Sequence, residues 1–105
     1  MTLEPAQLES QGKRAFADKR FDEAAGLFRQ AAERYTQERA GEMAAEMMNN
    51  VSVALLQAGK PQESLAAALG TDKIFENAKD VKRQAMALGN IAAALDGLGR
   101  IEEAI

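Results

Sequence analysis

The sequence repeats itself with a step of 40 residues, and this period limits the folds that the chain can adopt. Three copies are visible, and their matched positions carry small, large apolar or acidic residues in the same order. The matched sets include Leu8, Met48 and Leu88; Gly12, Ser52 and Ala92; Ala24, Ser64 and Ala104; Glu23, Glu63 and Glu103; and Asn50 with Asn90. A fixed period of about 20–50 residues is the signature of stacked-repeat proteins. Such proteins usually work as binding surfaces, so the period predicts an interaction protein.

The composition predicts that each repeating unit is helical. Apolar residues make up 47% of the 105 residues, mostly Ala and Leu, whereas aromatic residues make up 5% and proline occurs twice. Ala, Leu, Glu, Lys, Arg, Gln and Met have the best intrinsic helix propensities. The length fits a single domain, 1–105, with a core of modest size.

Several functions are excluded by what the chain lacks. It has no cysteine and no histidine, so disulfides, thiolate zinc sites, cysteine nucleophiles and histidine acid–base chemistry are impossible. It also has no phosphate-binding loop and no triad or metal-ligand spacing, so we expect neither an enzyme nor a cofactor or metal.

Charge and hydropathy narrow the partners further. The net charge of −3 argues against nucleic-acid binding, which needs a concentrated basic surface. The start of the chain lacks the features of a signal peptide, and no apolar run is long enough to span a membrane. A cytoplasmic location is the default expectation.

Apolar residues spaced by three and four predict a succession of helices. The first helix begins at Pro5, the second near Phe21, and the third covers about 42–58. Gly59 suits a left-handed turn and Pro61 a helix start, so a fourth, continuous helix is expected over 61–78. Asp80 is a good N-cap for a fifth helix ending at Gly99, and a sixth is expected from Ile101.

The third copy, residues 87–105, resembles a tetratricopeptide repeat through a leucine, a small residue, a turn glycine, a large apolar residue and an alanine. The residues that match in order are Ile91, Ala92, Leu95, Gly99, Ile101 and Ala104. The second copy matches through Val51, Ser52, Leu55, Gly59 and Ser64, and the first through Gly12, Ala15, Phe21, Ala24, Phe28 and Ala31. The first copy departs from the pattern by having Lys19 at the turn glycine, and the second by having Pro61 where an aromatic residue is usual.

This resemblance implies an all-α fold, a right-handed α-α superhelix of antiparallel helix pairs. The repeats are placed at about 5–40, 45–80 and 85–105, the last one incomplete. The 40-residue period resembles the longer variant found in Leu-Gly-Asn repeat polarity adaptors and kinesin light chains, and Leu88-Gly89-Asn90 is similar to the tripeptide that names those adaptors.

The resemblance also implies a binding site, because the first helix of each tetratricopeptide pair lines a concave groove that holds a peptide or helix of a partner. The implied groove residues are Glu9, Lys13, Phe16, Glu46, Asn49, Asn50, Val53, Leu56, Gln57, Met86, Gly89, Asn90, Ala93 and Asp96. Asn50 and Asn90 are the main candidates, since an amide can both donate to and accept from a peptide backbone. Alternatively, each asparagine bonds a neighbouring helix or solvent. The two-carboxylate clamp of some co-chaperones is not matched, since Glu9 and Met86 stand where lysines are expected.

The end of the sequence suggests a second function. Leu95, Leu98, Ile101 and Ile105 would be left partly bare, which favours a homo-oligomerisation module in which these C-terminal helices pair. A terminal repeat normally has a polar outer face, so a fragment of a longer repeat protein is a further interpretation.

Overall fold

The computed structural model describes residues 3–104, with side chains over 3–100, and this part of the chain is helical with no strand. Six helices follow one another along the described chain. Their bounds are α1, Pro5–Ala17; α2, Phe21–Gln37; α3, Gly41–Gln57; α4, Pro61–Ala68; α5, Thr71–Asn77; and α6, Val81–Ala104.

The turns recur every 20 residues and share one geometry. In the first turn Lys19 is left-handed with φ +63°; its amide donates to the carbonyl of Phe16, and the amide of Arg20 donates to the carbonyl of Ala15. This pair of bonds is the Schellman motif, which satisfies the free carbonyls at a helix end. The same motif, with a left-handed residue, recurs at Arg39, Gly59 and Lys79.

Helix starts also follow the chemistry of the sequence. Pro5 and Pro61 occupy the first turns of α1 and α4, where a missing amide hydrogen has no cost. Glu4 and Gln7 form a reciprocal capping box before α1. The carboxylate of Asp80 accepts from the amide of Arg83 at 3.0 Å, which confirms the expected N-cap.

Successive helices pack on one another through small residues. α2 packs on α1 and α3, and α3 also packs on α4, α5 and α6. Gly12 of α1 lies so close to Phe28 of α2 that an added Cβ would be 2.7 Å from the ring. Ser52 of α3 and Ser64 of α4 are both buried, and each hydroxyl donates to the other residue's carbonyl, at 2.9 and 2.7 Å. The small residues predicted at these matched positions therefore allow close helix contacts.

The expected continuous helix over 61–78 is wrong, because the chain breaks between α4 and α5. Gly70 is left-handed at φ +91°, a conformation that a helix interior does not allow. The buried hydroxyl of Thr71 lies 2.8 Å from the carbonyl of Ala68 and 2.9 Å from the amide oxygen of Asn49. These contacts hold the break against α3.

The helix end expected at Gly99 is also wrong, because α6 continues through Gly99 to Ala104. No separate helix therefore begins at Ile101, and Ile105 lies outside the described residues. Ala92, matched to buried Ser52, is exposed on α6. The third copy thus starts like the others but continues as one uninterrupted helix to Ala104.

Candidate functional site

The first part of the candidate site is a cavity between α1 and α3 with α2 as its floor. It measures about 310 Å³, and its lining residues are Lys13, Phe16, Phe28, Asn50 and Val53. The two aromatic rings and the valine make most of this lining apolar. This volume lies near the lower end of the range for ligand pockets, which is about 300–1,000 Å³.

The cation at the edge of this cavity is held in place by α1 and α2. Lys13 forms an ion pair with Glu9 one helical turn earlier, at 2.9 Å. The Glu9 carboxylate, mainly through its hydrogen bond, raises the pKa of the Lys13 ammonium. The buried Tyr35 hydroxyl donates to Glu9 at 3.4 Å, and burial raises the pKa of Tyr35. Lys13 therefore stays charged at neutral pH.

A second, more polar cavity lies between α3 and the start of α6. It measures about 280 Å³, and its lining residues are Glu46, Asn49, Asn50, Lys82, Arg83 and Met86. Arg83 bridges two carboxylates, at 3.3 Å from Glu46 and 2.9 Å from Asp80. Lys82 and Arg83 place two cations beside this cavity against the one carboxylate of Glu46 that lines it.

A third cavity of about 340 Å³ continues along α3 and α6, at the other end of α6. Its lining includes three of the implied groove residues, Leu56, Ala93 and Asp96, together with Pro61 and Gly97. Gly97 approaches α4 closely, since an added Cβ would be 3.0 Å from the Pro61 ring. We call the three cavities together the groove.

Asn50 is the residue that connects the first two cavities. It lines both, and it is half-buried with its side-chain nitrogen 3.9 Å from the sulfur of Met47. An amide in this position faces any extended segment that crosses from one cavity to the other.

Most of the sequence-predicted residues line the groove, but some of them mainly hold neighbouring side chains or helices in place. Asn49 is only 7% exposed, and its amide oxygen is engaged by Thr71, so it holds α5 against α3. Glu9 positions Lys13. Asn90 is half-buried on α6, one turn after Met86, and Gln57 and Gly89 are exposed. None of these three residues lines any of the three cavities, and neither does Glu9.

Sequence reasoning missed seven of the residues that line the groove, namely Phe28, Gly59, Pro61, Lys82, Arg83, Gly97 and Arg100. Phe28 belongs to a second helix of a pair and reaches the groove only because Gly12 leaves room for its ring. Lys82 and Arg83 follow the N-cap Asp80, and a basic pair at the start of a helix was the available signal.

Two further findings limit the chemistry of the described residues. Over residues 3–100, His, Cys, Asp and Glu side chains form no group of three that could hold a metal ion. Among the helices described, none has the length and apolar character to cross a membrane. The lining residues of the groove offer apolar contact, amide hydrogen bonds, cations and the carboxylates of Glu46 and Asp96.

Comparisons with known proteins give no assignment. No protein-family model, no curated protein and no solved structure matches the chain. The function must be argued from the groove itself.

Proposed function

We propose that the chain is a tetratricopeptide-like solenoid, a right-handed superhelix of antiparallel helix pairs, that acts as a cytoplasmic protein-interaction scaffold. The support is the 20-residue recurrence of Schellman turns, the 40-residue recurrence of small contact residues and the run of cavities along α1, α3 and α6. Each helix pair buries too little surface alone, so neighbours stabilise one another.

The groove's ligand, on this proposal, is an extended segment of a protein partner. The single observation that carries the proposal is that half-buried Asn50 lines both of the first two cavities. A segment that crosses between them passes the Asn50 amide, which can donate to one backbone carbonyl and accept from one backbone amide.

The first and second cavities differ in polarity, and this difference determines which side chains a ligand must carry to fill both. Phe16, Phe28 and Val53 give the first cavity an apolar wall for a leucine or aromatic side chain. Lys82 beside the second favours an acidic residue a few positions away, whereas Arg83 is already paired with Glu46 and Asp80. The expected ligand is thus a short extended motif with one large apolar and one acidic residue.

A random peptide library displayed on phage, followed by calorimetry on the selected peptides, tests the proposal. We expect enrichment of an apolar residue followed at a fixed spacing by Asp or Glu. Asn50→Ala should weaken binding by at least about fivefold, because a hydrogen bond is worth about 1 kcal/mol.

The matched control is Asn77→Ala, the same change at an exposed position at the end of α5, outside the groove. It should bind like the unmodified protein. Equal affinity of the Asn50→Ala protein would show that the groove amide does not hold the ligand.

Self-association is the second candidate function, and one observation favours it. Leu88 and Leu95 of α6 are about half exposed, on a side of the helix away from the groove.

A further inference from the structure

The outward side of α6 carries an apolar seam that nothing in the described chain covers. Large residues on it are Val81, Leu88 and Leu95, exposed at 75%, 48% and 53%. The small residues Ala85 and Ala92 lie between them, and Gly99 follows Leu95 on the same side. These six residues are the α6 seam.

Comparison with the preceding repeat shows that such a seam normally receives a helix. Leu95 is 53% exposed, whereas Leu55, its match 40 residues earlier, is 4% exposed. Ala92 is exposed, whereas its match Ser52 is buried against Ser64 of α4. The α6 seam is thus the counterpart, 40 residues later, of the α3 face that packs on α4.

The spacing of the seam identifies the kind of helix that fits it. Its residues follow one another at steps of four, three, four, three and four, which is the alternation of a coiled-coil heptad. Every large residue takes one of the two core positions of the heptad, and every small residue takes the other. A partner helix must therefore offer small residues opposite the large ones and large residues opposite the small ones.

We propose that the partner is a second copy of this chain, with the two α6 helices packed antiparallel about a two-fold axis at the level of Asn90. In that arrangement Leu88 of one copy meets Ala92 of the other, Ala85 meets Leu95, and Val81 meets Gly99. A parallel pairing would instead set small against small and leave voids, which costs contacts. Large residues then meet small ones at every level of the seam, and the two-fold axis makes the interface isologous.

The interface covers one helix face about 28 Å long, at 1.5 Å per residue over 81–99. Standard interfaces bury roughly 800 Å² per partner with about 20–30 residues a side, whereas this seam has six residues, so we expect a reversible dimer that depends on concentration. The inference does not rest on the proposed ligand, since Met86 and Asn90 project from another side of α6. The dimer would carry two open grooves and bind a partner with two motifs more tightly than one with a single motif.

Sedimentation velocity from micromolar to millimolar concentration tests the dimer. We expect a reversible monomer–dimer equilibrium that Leu88→Glu weakens by more than tenfold. Leu69→Glu is the matched control, the same change at a residue that is 60% exposed between α4 and α5, and should dimerise like the unmodified protein. Circular dichroism of each variant establishes that the helices remain. A monomer at every concentration, or equal loss in both variants, overturns the proposal.

A swap of large and small residues tests the register. Ala92→Leu alone sets leucine against leucine and should weaken the dimer, whereas Leu88→Ala combined with Ala92→Leu restores large against small and should recover it. General hydrophobic association would instead be strengthened by Ala92→Leu, and that result would overturn the proposal.

Because the chain has no cysteine, the direction can be tested by mixing Leu88→Cys and Ala92→Cys proteins. A disulfide between the two variants should form faster than within either, and the reverse order would contradict antiparallel packing.

Discussion

At the scale of single residues, two glycines inside helices, Gly12 and Gly26, differ in how closely a neighbouring helix approaches them. An added Cβ at Gly12 would lie 2.7 Å from the buried ring of Phe28, whereas one at Gly26 meets nothing within 4 Å. We expect Gly12→Ala to lower the free energy of unfolding by about 1–3 kcal/mol through overpacking. Gly26→Ala should raise it by up to about 1 kcal/mol, because alanine is the better helix former.

Urea denaturation of the two variants measures this difference directly. Stabilisation by Gly12→Ala would mean that the ring moves without cost and that α1 and α2 are not tightly packed there.

Of the four left-handed residues at the turns, only the glycine could be predicted from its residue type. Gly59 was predicted as a left-handed turn residue, and its φ of +79° confirms this. Lys19, Arg39 and Lys79 take the same conformation but are not glycines, so their residue types did not predict left-handed turns. Lys19 was noted as a departure from the repeat pattern, yet the Schellman hydrogen bonds form there as they do at Gly59. These turns are therefore stabilised by hydrogen bonds that pair the free carbonyls of the helix end, and they do not need a glycine.

At the scale of helices, the break between α4 and α5 depends on one hydroxyl. Thr71→Val removes the contact to Asn49 and leaves a buried amide oxygen without its partner. We expect a loss of about 1–3 kcal/mol in the free energy of unfolding.

Thr36→Val is the matched control, since Thr36 is exposed and its hydroxyl donates to the carbonyl of Ala32 within the same helix. It should change stability by less than about 0.5 kcal/mol. Equal losses in the two variants would contradict the role given to Thr71. Asn49→Leu should also cost less in the Thr71→Val protein than alone, since the two residues share one interaction.

The start of α6 gives a pH dependence with a defined sign. The amide and guanidinium of Arg83 hold the pKa of the Asp80 carboxyl below its usual value. A carboxylate with a lowered folded-state pKa stabilises the fold above its unfolded-state pKa, and this contribution is lost as the pH falls through the lower value.

The melting temperature should therefore fall on acidification between about pH 5 and pH 2, and less steeply for Asp80→Asn, which keeps a capping oxygen but no charge. Identical slopes for the two proteins would show that Asp80 does not contribute. An NMR titration of the Asp80 carboxyl carbon measures its pKa independently.

The helix boundaries that were predicted correctly are those with a local signal in the sequence. Those marked by a proline, a capping carboxylate or a turn motif were predicted to within a residue or two, as at Pro5, Phe21, Pro61 and Asp80. The end expected at Gly99 failed because a glycine lowers helix propensity by only about 1 kcal/mol and does not compel a turn. At Gly70 the error was the reverse, since a continuous helix was expected where the chain breaks. The break is supported by the contact of Thr71 with Asn49, which is distant in the sequence.

At the scale of the whole molecule, two opposite surfaces compete as binding sites. The groove along α1, α3 and α6 contains the sequence-predicted residues Lys13, Asn50 and Met86. A cavity of about 610 Å³ lies on the side of α2, α4 and α5 and has many alanines in its lining. The tetratricopeptide resemblance implied which helices would line a groove, but nothing in the sequence indicated that Phe28 would form the floor of the first cavity or that Arg83 would bridge to Glu46. Those contacts join residues far apart in the sequence.

The measurement that tests the central claim most directly is an NMR titration of the isotope-labelled protein with a peptide selected from the library. The account predicts that the shifted amides lie along α1, α3 and the first half of α6, with the side-chain amide of Asn50 among them. Shifts confined to α2, α4 and α5, around Ala66 and Leu69, would contradict it.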